Sequence, residues 1–279
     1  MISRKLKFVL LVVLLNLAAA WLAPATAQQL EPRPFEPGEE LIFKAEVSRA
    51  LLKKVDVATF RFLVERAPAQ ENAHSSPARA SLPYTLKFTG DVASEGFFTK
   101  LFNLKFHQHV ESTVDPESLA VRKTVKLDEQ GKRVRTSEAT FDQVKGKVVW
   151  VERDPNNPAR PERTISSDFA GTVHDVVSAI YFLRTQKLEL GRTFEILISD
   201  SGGVYKVPVR VVERKQLKTV LGRVTAVRVE PGLFGENGMV KTRAKFSFWR
   251  TDDHRHLPVS AQLKGEFGTF DITLKKAAH

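Results

Sequence analysis

Cysteine is absent from this 279-residue chain. No disulfide can staple the fold, no thiolate can act as nucleophile, and no cysteine can accept a lipid anchor. Acidic residues are in short supply, 32 against 43 basic ones, which leaves a formal net charge of +11. That balance favours anionic neighbours such as lipid head groups, acidic glycans or nucleic acid. Apart from Lys132-Arg133-Val134-Arg135 the positive charges are scattered, as on a solvated surface with a basic bias. Trp and Tyr are scarce, three of each, while Phe occurs nineteen times. Beyond the N-terminus no apolar run is long enough to span a bilayer as a helix. Phosphate-binding glycine motifs are missing too. Gly232-x-x-Gly235-x-x-Gly238 lies between strand patterns, precedes no helix and lacks a Walker lysine in register, so it reads as a flexible loop carrying apolar Leu233 and Phe234.

The first residues supply an address. Arg4, Lys5 and Lys7 precede the apolar run Phe8 to Leu15, and Ala25-Thr26-Ala27 places small residues where a signal peptidase reads. Residues 1–27 are therefore expected to be a cleaved signal peptide, leaving residues 28–279 with a formal charge of +8. The expected destination is the periplasm or the exterior, without a transmembrane span after cleavage. Export argues against nucleic acid as a partner.

Period-two alternation dominates the remainder. Leu41/Phe43/Ala45/Val47, Ala58/Phe60/Phe62/Val64, Tyr84/Leu86/Phe88 and Phe102/Leu104/Phe106/Val110/Val114 each mark one face of a strand. Phe194/Ile196/Ile198, Tyr205/Val207/Val209/Val211, Ala244/Phe246/Phe248, Leu257/Val259/Ala261/Leu263 and Phe270/Ile272/Leu274 do the same later. One dry face and one wet face is the antiparallel pattern. Gly131, Gly146, Gly202-Gly203 and Gly265 to Gly268 sit in hairpin turns. The expectation is a mainly-β fold. A single antiparallel meander of roughly ten to twelve strands curls into a barrel or half-barrel, with one buried or capping α-helix. Stretches 67–81 and 154–167, rich in Ala, Pro, Ser and Asn or in Pro and Arg, read as mobile loops within that single domain. The helix spans about 173–188. Val173, Val176, Val177, Ile180 and Leu183 recur at helical spacing, Thr172 and Asp175 open it, and Lys187 and Gly191 close it.

Three motifs carry a resemblance. They are Phe35-x-Pro37-Gly38-Glu39-x-Leu41-x-Phe43, then His174-Asp175-x-x-Ser178-x-x-Tyr181-x-x-Arg184, then Phe248-Trp249-x-Thr251-Asp252-Asp253 followed by Leu257-Pro258-Val259. In that order the chain resembles the exported bacterial proteins of the domain-of-unknown-function 3108 family. The resemblance implies a mostly-β envelope protein and marks Asp175, Ser178, Tyr181, Arg184, Trp249, Asp252 and Pro258 as its structural motif residues. It implies no activity. At the level of fold, the late strands also resemble lipoprotein carriers, whose curved sheets hold acyl chains under a helical lid.

Candidate chemistry is sparse. His174, Ser178, Tyr181 and Thr185 share a helical face, but no nucleophile elbow surrounds Ser178, and a mid-helix Ser usually bonds to its own helix. The stripe is expected to dock the helix, with the Tyr181 hydroxyl and the Arg184 guanidinium bonding to the sheet and Asp175 capping. His107/His109 and His254/His256 have strand spacing suited to metal ligands, with Glu111, Asp252 and Asp253 beside them. Both pairs read as exposed, and no metal, cofactor or catalytic residue is assigned. Asp252 and Asp253, adjacent, would point apart rather than act as an acid–base pair. Trp249 fits a core or rim better than a sugar platform. The favoured function is a non-enzymatic envelope protein binding an apolar or amphipathic, lipid-like ligand on a curved sheet, with an anionic envelope component as a further partner. The alternatives are an envelope hydrolase or metal enzyme using the helix stripe or a His pair, and a structural partner in envelope assembly.

Overall fold

The computed structural model describes residues 33–49, 52–68, 84–95, 99, 105–236, 238–266 and 268–278. The expected signal peptide at residues 1–27, residues 69–83, and Phe102 and Leu104 lie outside the described residues. Residues 34–278 form the body discussed below.

Among the described residues, alternating residues become strands of a single curled, open sheet of fifteen. Strand β1 (Glu40–Arg49) enters at the centre of the sheet, not at an edge. From it β2 (Leu52–Pro68), β3 (Tyr84–Ser94), β4 (Phe106–Val114), β5 (Val121–Gln130), β6 (Arg133–Asp142), β7 (Lys147–Arg153) and β8 (Arg163–Asp168) run outward as an antiparallel meander. The chain then crosses to the other edge. There β9 (Val173–Asp175) leads into helix α1 (Val176–Thr185). The second meander returns through β10 (Thr193–Asp200), β11 (Gly203–Thr219), β12 (Gly222–Pro231), β13 (Ala244–Thr251), β14 (Pro258–Gly265) and β15 (Gly268–Ala278). Strand β15 pairs with β1 and joins the two halves. Strand β9 pairs with β10 in parallel, an exception in an otherwise antiparallel ladder.

The strand count exceeds the expected ten to twelve because several strands hide their period. Strand β8 takes up residues 163–167, the end of what reads as the loop 154–167. It is an edge strand in which only Ile165 and Ser167 are half-buried, so polar residues on both faces mask the alternation. Likewise β2 runs through Ala67 to Pro68, the start of the other expected loop. The helix is shorter than expected. Val173 to Asp175 are extended and hydrogen-bonded to Leu197 to Ser199, so tertiary pairing overrides their helical spacing. Asp175, not Thr172, is the N-cap, and Gln186 ends the helix before Lys187.

Helix α1 lies between two apolar clusters. Val177 and Tyr181 join the cluster of β2 to β7, while Ala179 and Leu183 join that of β10 to β12. At Gly90 the helix presses directly onto the sheet, and a Cβ there would meet Val177 Cγ2 at 3.0 Å. The β8 edge also approaches the β10–β11 turn. Ser167 Oγ of β8 donates to Gly202 O in the β10–β11 turn (2.7 Å), and a Cβ on Gly202 would overlap Ile165. That turn has positive φ at both central residues, Ser201 (49°) and Gly202 (81°), the type I′ geometry whose twist matches a hairpin. No described helix is long and apolar enough to cross a membrane.

Candidate functional site: the helix and the cavities beside it

The three motifs, far apart in sequence, converge on α1. At its N-terminus the Asp175 carboxylate accepts from Ser178 N (2.7 Å), and the Ser178 hydroxyl accepts from Asp175 N (2.9 Å), a reciprocal capping box. Ser112 Oγ and Thr124 Oγ1 also donate to Asp175, each at 2.5 Å. Strands β4 and β5 thereby fix where the helix begins. Ser178 is fully buried and engaged with its own cap, so its hydroxyl is not presented as a nucleophile.

At the other end Arg184 and Glu39 form a bidentate pair, both buried. Arg184 also donates to Pro34 O (2.5 Å) and Arg255 O (3.1 Å), which meets the need of a buried charge for several partners. Arg250 caps the helix C-terminus. Its guanidinium donates to the carbonyls of Leu183 (3.0 Å), Arg184 (3.2 Å) and Gln186 (2.8 Å), groups that have no partner within a helix. Burial lowers the Arg250 pKa to about 10, with Arg184 adding to the effect and Asp252 and Asp253 opposing it. His256, at φ 45°, turns its Nδ1 to Arg184 O (2.5 Å). Glu39 lies within the opening motif and Arg250 within the late one, yet neither has a periodicity that announces a partner.

Tyr181 departs from expectation. Its hydroxyl has no hydrogen-bond partner among the described residues. Its ring is what docks, stacked on Phe88 at 4.1 Å and edge-on to Phe35 at 5.1 Å. Burial pushes its phenol pKa well above the usual range, with nearby Glu39 acting in the same direction. His174 is in β9, not on the helix, and donates to Leu119 O through Nδ1 (2.9 Å). Desolvation lowers its pKa to about 4, against opposing contributions from the Leu119 hydrogen bond and Asp175. It is therefore the neutral tautomer with Nδ1–H donating.

The other candidates separate. His107 bridges Asp91 and Glu129 (2.9 Å each), and His109 bonds Asp91 (3.0 Å), on the face opposite Gln108 and Val110. Hydrogen bonds to Asp91 and then Glu129 raise the His107 pKa. No cluster of three or more His, Asp or Glu suited to a metal occurs among the described residues. Asp252 pairs with Arg214 (3.0 Å), while Asp253 accepts from Thr251 Oγ1 and the backbone of Arg255 and His256 in its turn. The two carboxylates do not meet. Trp249 lies beneath the Lys215 ammonium (4.5 Å) in a polar cleft with Glu213 and Asp271. Pro258 opens β14 and lines a different cavity, together with Phe248 and Ile180.

That cavity, of about 260 Å³, presents only apolar atoms. Val176, Ala179, Ile180 and Leu183 of the helix form one wall; Phe43, Phe62, Phe246 and Ile272 lie among its strand residues. Leu233 and Met239, from the glycine-bearing loop, border it as well. A second cavity of about 280 Å³ lies on the first half of the sheet, and Phe60, Phe62, Val176 and Ile180 line both. Its wall includes polar side chains, among them Gln108, Lys126, Ser137 and Asp200. The helix therefore turns its polar stripe into the protein and leaves Val176 43% exposed.

A solved structure shares the β-barrel-like architecture. The chain is similar to the crystal structure of a β-barrel-like protein of the domain of unknown function DUF1849 from Brucella abortus. The TM-score is 0.50 at 13% identity, covering 88% of this chain and 98% of that one. It is also similar to a DUF1089 family protein from Pseudomonas aeruginosa, with a TM-score of 0.34 and 10% identity over 76% of this chain and 92% of that one. No curated protein matches. The family model described as "Protein of unknown function (DUF3108)" matches residues 70–275, which takes in the helix and late motifs and leaves the Phe35–Phe43 stretch before it, and the chain belongs to that family.

Proposed function

We propose that this protein is a non-enzymatic component of the bacterial envelope that holds the apolar chain of an amphiphile beside α1. The observation that carries this reading is the cavity of about 260 Å³ whose exposed wall is entirely apolar. A space near the lower end of the range for small-ligand pockets suits one chain rather than a bulky multi-chain lipid. Val176 and Ile180 support the reading, because apolar side chains left open on a helix otherwise pinned at both ends have no role in docking it. Exposed apolar surface of this kind is favourable to cover, at about 25 cal/mol per Å². The signal-like N-terminus motivates the envelope address, and the charge of +8 on residues 28–279 (+11 less the three positives of residues 1–27) suits an anionic envelope surface nearby.

An enzyme is less well supported, since Ser178 and Asp175 are consumed by the cap and His174 is bonded to backbone. The test is native mass spectrometry of the protein purified from its own envelope, followed by organic extraction and intact-mass measurement. A co-purifying single-chain amphiphile, and an N-terminus at Gln28, are expected. A ligand-free protein that also fails to take up an apolar fluorescent dye would refute the binding role, and a retained Met1 would refute cleavage.

A further inference from the structure

The second cavity bears on which amphiphile fits. The concave surface of the first half of the sheet is graded along the strands. At one end Phe88, Val114, Val121 and Phe141 are buried in the core. One pairing row further, Gly90, Val110, Lys126 and Ser137 lie side by side across β3 to β6. Two residues beyond stand Gln108, Asp128 and Arg135. The apolar cavity and this polar one share Phe60, Phe62, Val176 and Ile180 as their common wall. A molecule lying across that wall would meet apolar atoms at one end and charge at the other.

Three ionisable groups line the polar cavity: Asp175, Lys126 and Asp200. Asp175 is already satisfied by Ser112, Thr124 and Ser178. Lys126 and Asp200 are satisfied less fully, by a long ion pair with each other and by Ser201 Oγ donating to Asp200 Oδ2 (3.2 Å). Lys126 Nζ lies 3.9 Å from Asp200 Oδ1, beyond hydrogen-bond range, and both side chains keep contact with solvent. They come from opposite halves of the sheet, Lys126 from β5 and Asp200 from the end of β10. Asp200 is held in place by the type I′ turn that follows it, which is locked against Ile165 and Ser167. A cation and an anion thus line the polar cavity together as a long, partly exposed ion pair.

We infer that Lys126 and Asp200 form a clamp for a head group carrying both signs, so that the ligand class is a single-chain zwitterionic phospholipid, its phosphate on Lys126 and its ammonium on Asp200. A purely anionic head would take Lys126 and leave Asp200 facing added negative charge; a purely cationic one would do the reverse. Either leaves one ion unbalanced beside an apolar wall, which is the costly outcome for partly desolvated charges. A zwitterion matches both and adds no net charge. The inference rests on the reading that the apolar cavity holds a chain.

The experiment keeps the two separable. An apolar fluorescent dye is bound to the protein and displaced by four probes sharing one acyl chain length, all below their micelle concentrations. They are lysophosphatidylethanolamine, the fatty acid, the alkylamine and the monoacylglycerol. Lysophosphatidylethanolamine is expected to displace the dye at a concentration at least about tenfold lower than the others, equivalent to about 1.4 kcal/mol. Lys126→Ala and Asp200→Ala should each erase that preference while leaving dye affinity unchanged, which also shows that the variants fold. The double exchange Lys126→Asp with Asp200→Lys should restore part of it. Equal displacement by all four probes, or a preference that survives both alanine variants, overturns the clamp and leaves the chain-binding reading standing. Failure of the dye and of every probe to bind overturns both.

Discussion

The two faces of α1 have opposite fates. Its polar stripe, Asp175, Ser178, Tyr181 and Arg184, is among the most buried surface in the molecule. Its apolar residues Val176 and Ile180 border open space. In an ordinary surface helix the reverse holds, because apolar burial drives docking. Here docking is directional. Glu39 and Arg250 clasp one end, Ser112 and Thr124 the other, and each bond fixes position as well as contributing energy. Val177, Ala179 and Leu183 pack into the core, while Val176 and Ile180 are left to form a wall. Polar groups fix where the helix sits, and part of its apolar surface is available for a ligand.

The largest way to break this comparison is Glu39→Ala. It strands the Arg184 guanidinium in the interior, and removal of one partner of a buried pair costs about 3–5 kcal/mol. A urea melt checks it; a loss below about 1 kcal/mol would mean that the pair does not anchor the helix.

Acid should act next, through His174. Its folded pKa, about 4, lies below the value near 6.5 of an unfolded His. Between those values the unfolded chain holds the proton and the folded one does not, so stability falls as pH drops through that window. The loss reaches at most about 3 kcal/mol at the acid end. His107 works in the opposite sense. Its folded pKa is raised, so its stabilisation is present below the unfolded value and fades as pH rises through the folded one. The slope attributed to His174 should vanish in His174→Gln when melts are compared from pH 7 to pH 4. An identical slope in the variant would assign acid sensitivity elsewhere.

Gly90→Val tests how tightly the docked face is seated. The added side chain must displace Val177, and overpacking of this kind costs about 1–3 kcal/mol. Ile180→Ala tests the open face and should be the mildest in stability, about 1 kcal/mol, because Ile180 already borders a cavity. Its effect should show instead as weakened retention of the apolar dye. If Ile180→Ala destabilised as much as Gly90→Val while dye binding held, the two faces would not differ in role.

Strand identity was readable wherever one face is dry and the other wet, as along Leu41 to Val47, where every second residue is buried. It was obscured in β8, whose edge position leaves both faces polar, and in β9, whose valine and leucine neighbours in the helix suggested a helical turn. The capping role of Asp175 was legible because a cap is a local bond between residues three apart. That Tyr181 docks by its ring was not, since its stacking partners Phe88 and Phe35 lie on other elements.

The sequence by itself determined the class of the fold, the presence of a helix and the motifs that place the chain in its family, because periodicity, turns and caps are set by neighbours along the chain. Only the tertiary structure decided that β1 lies at the centre of its sheet, that Glu39 and Arg250 meet the helix 145 and 66 residues from their respective partners, and that Lys126 pairs with Asp200. Those facts depend on which strands the sheet brings together when it curls, and no local period encodes the partner of a buried charge.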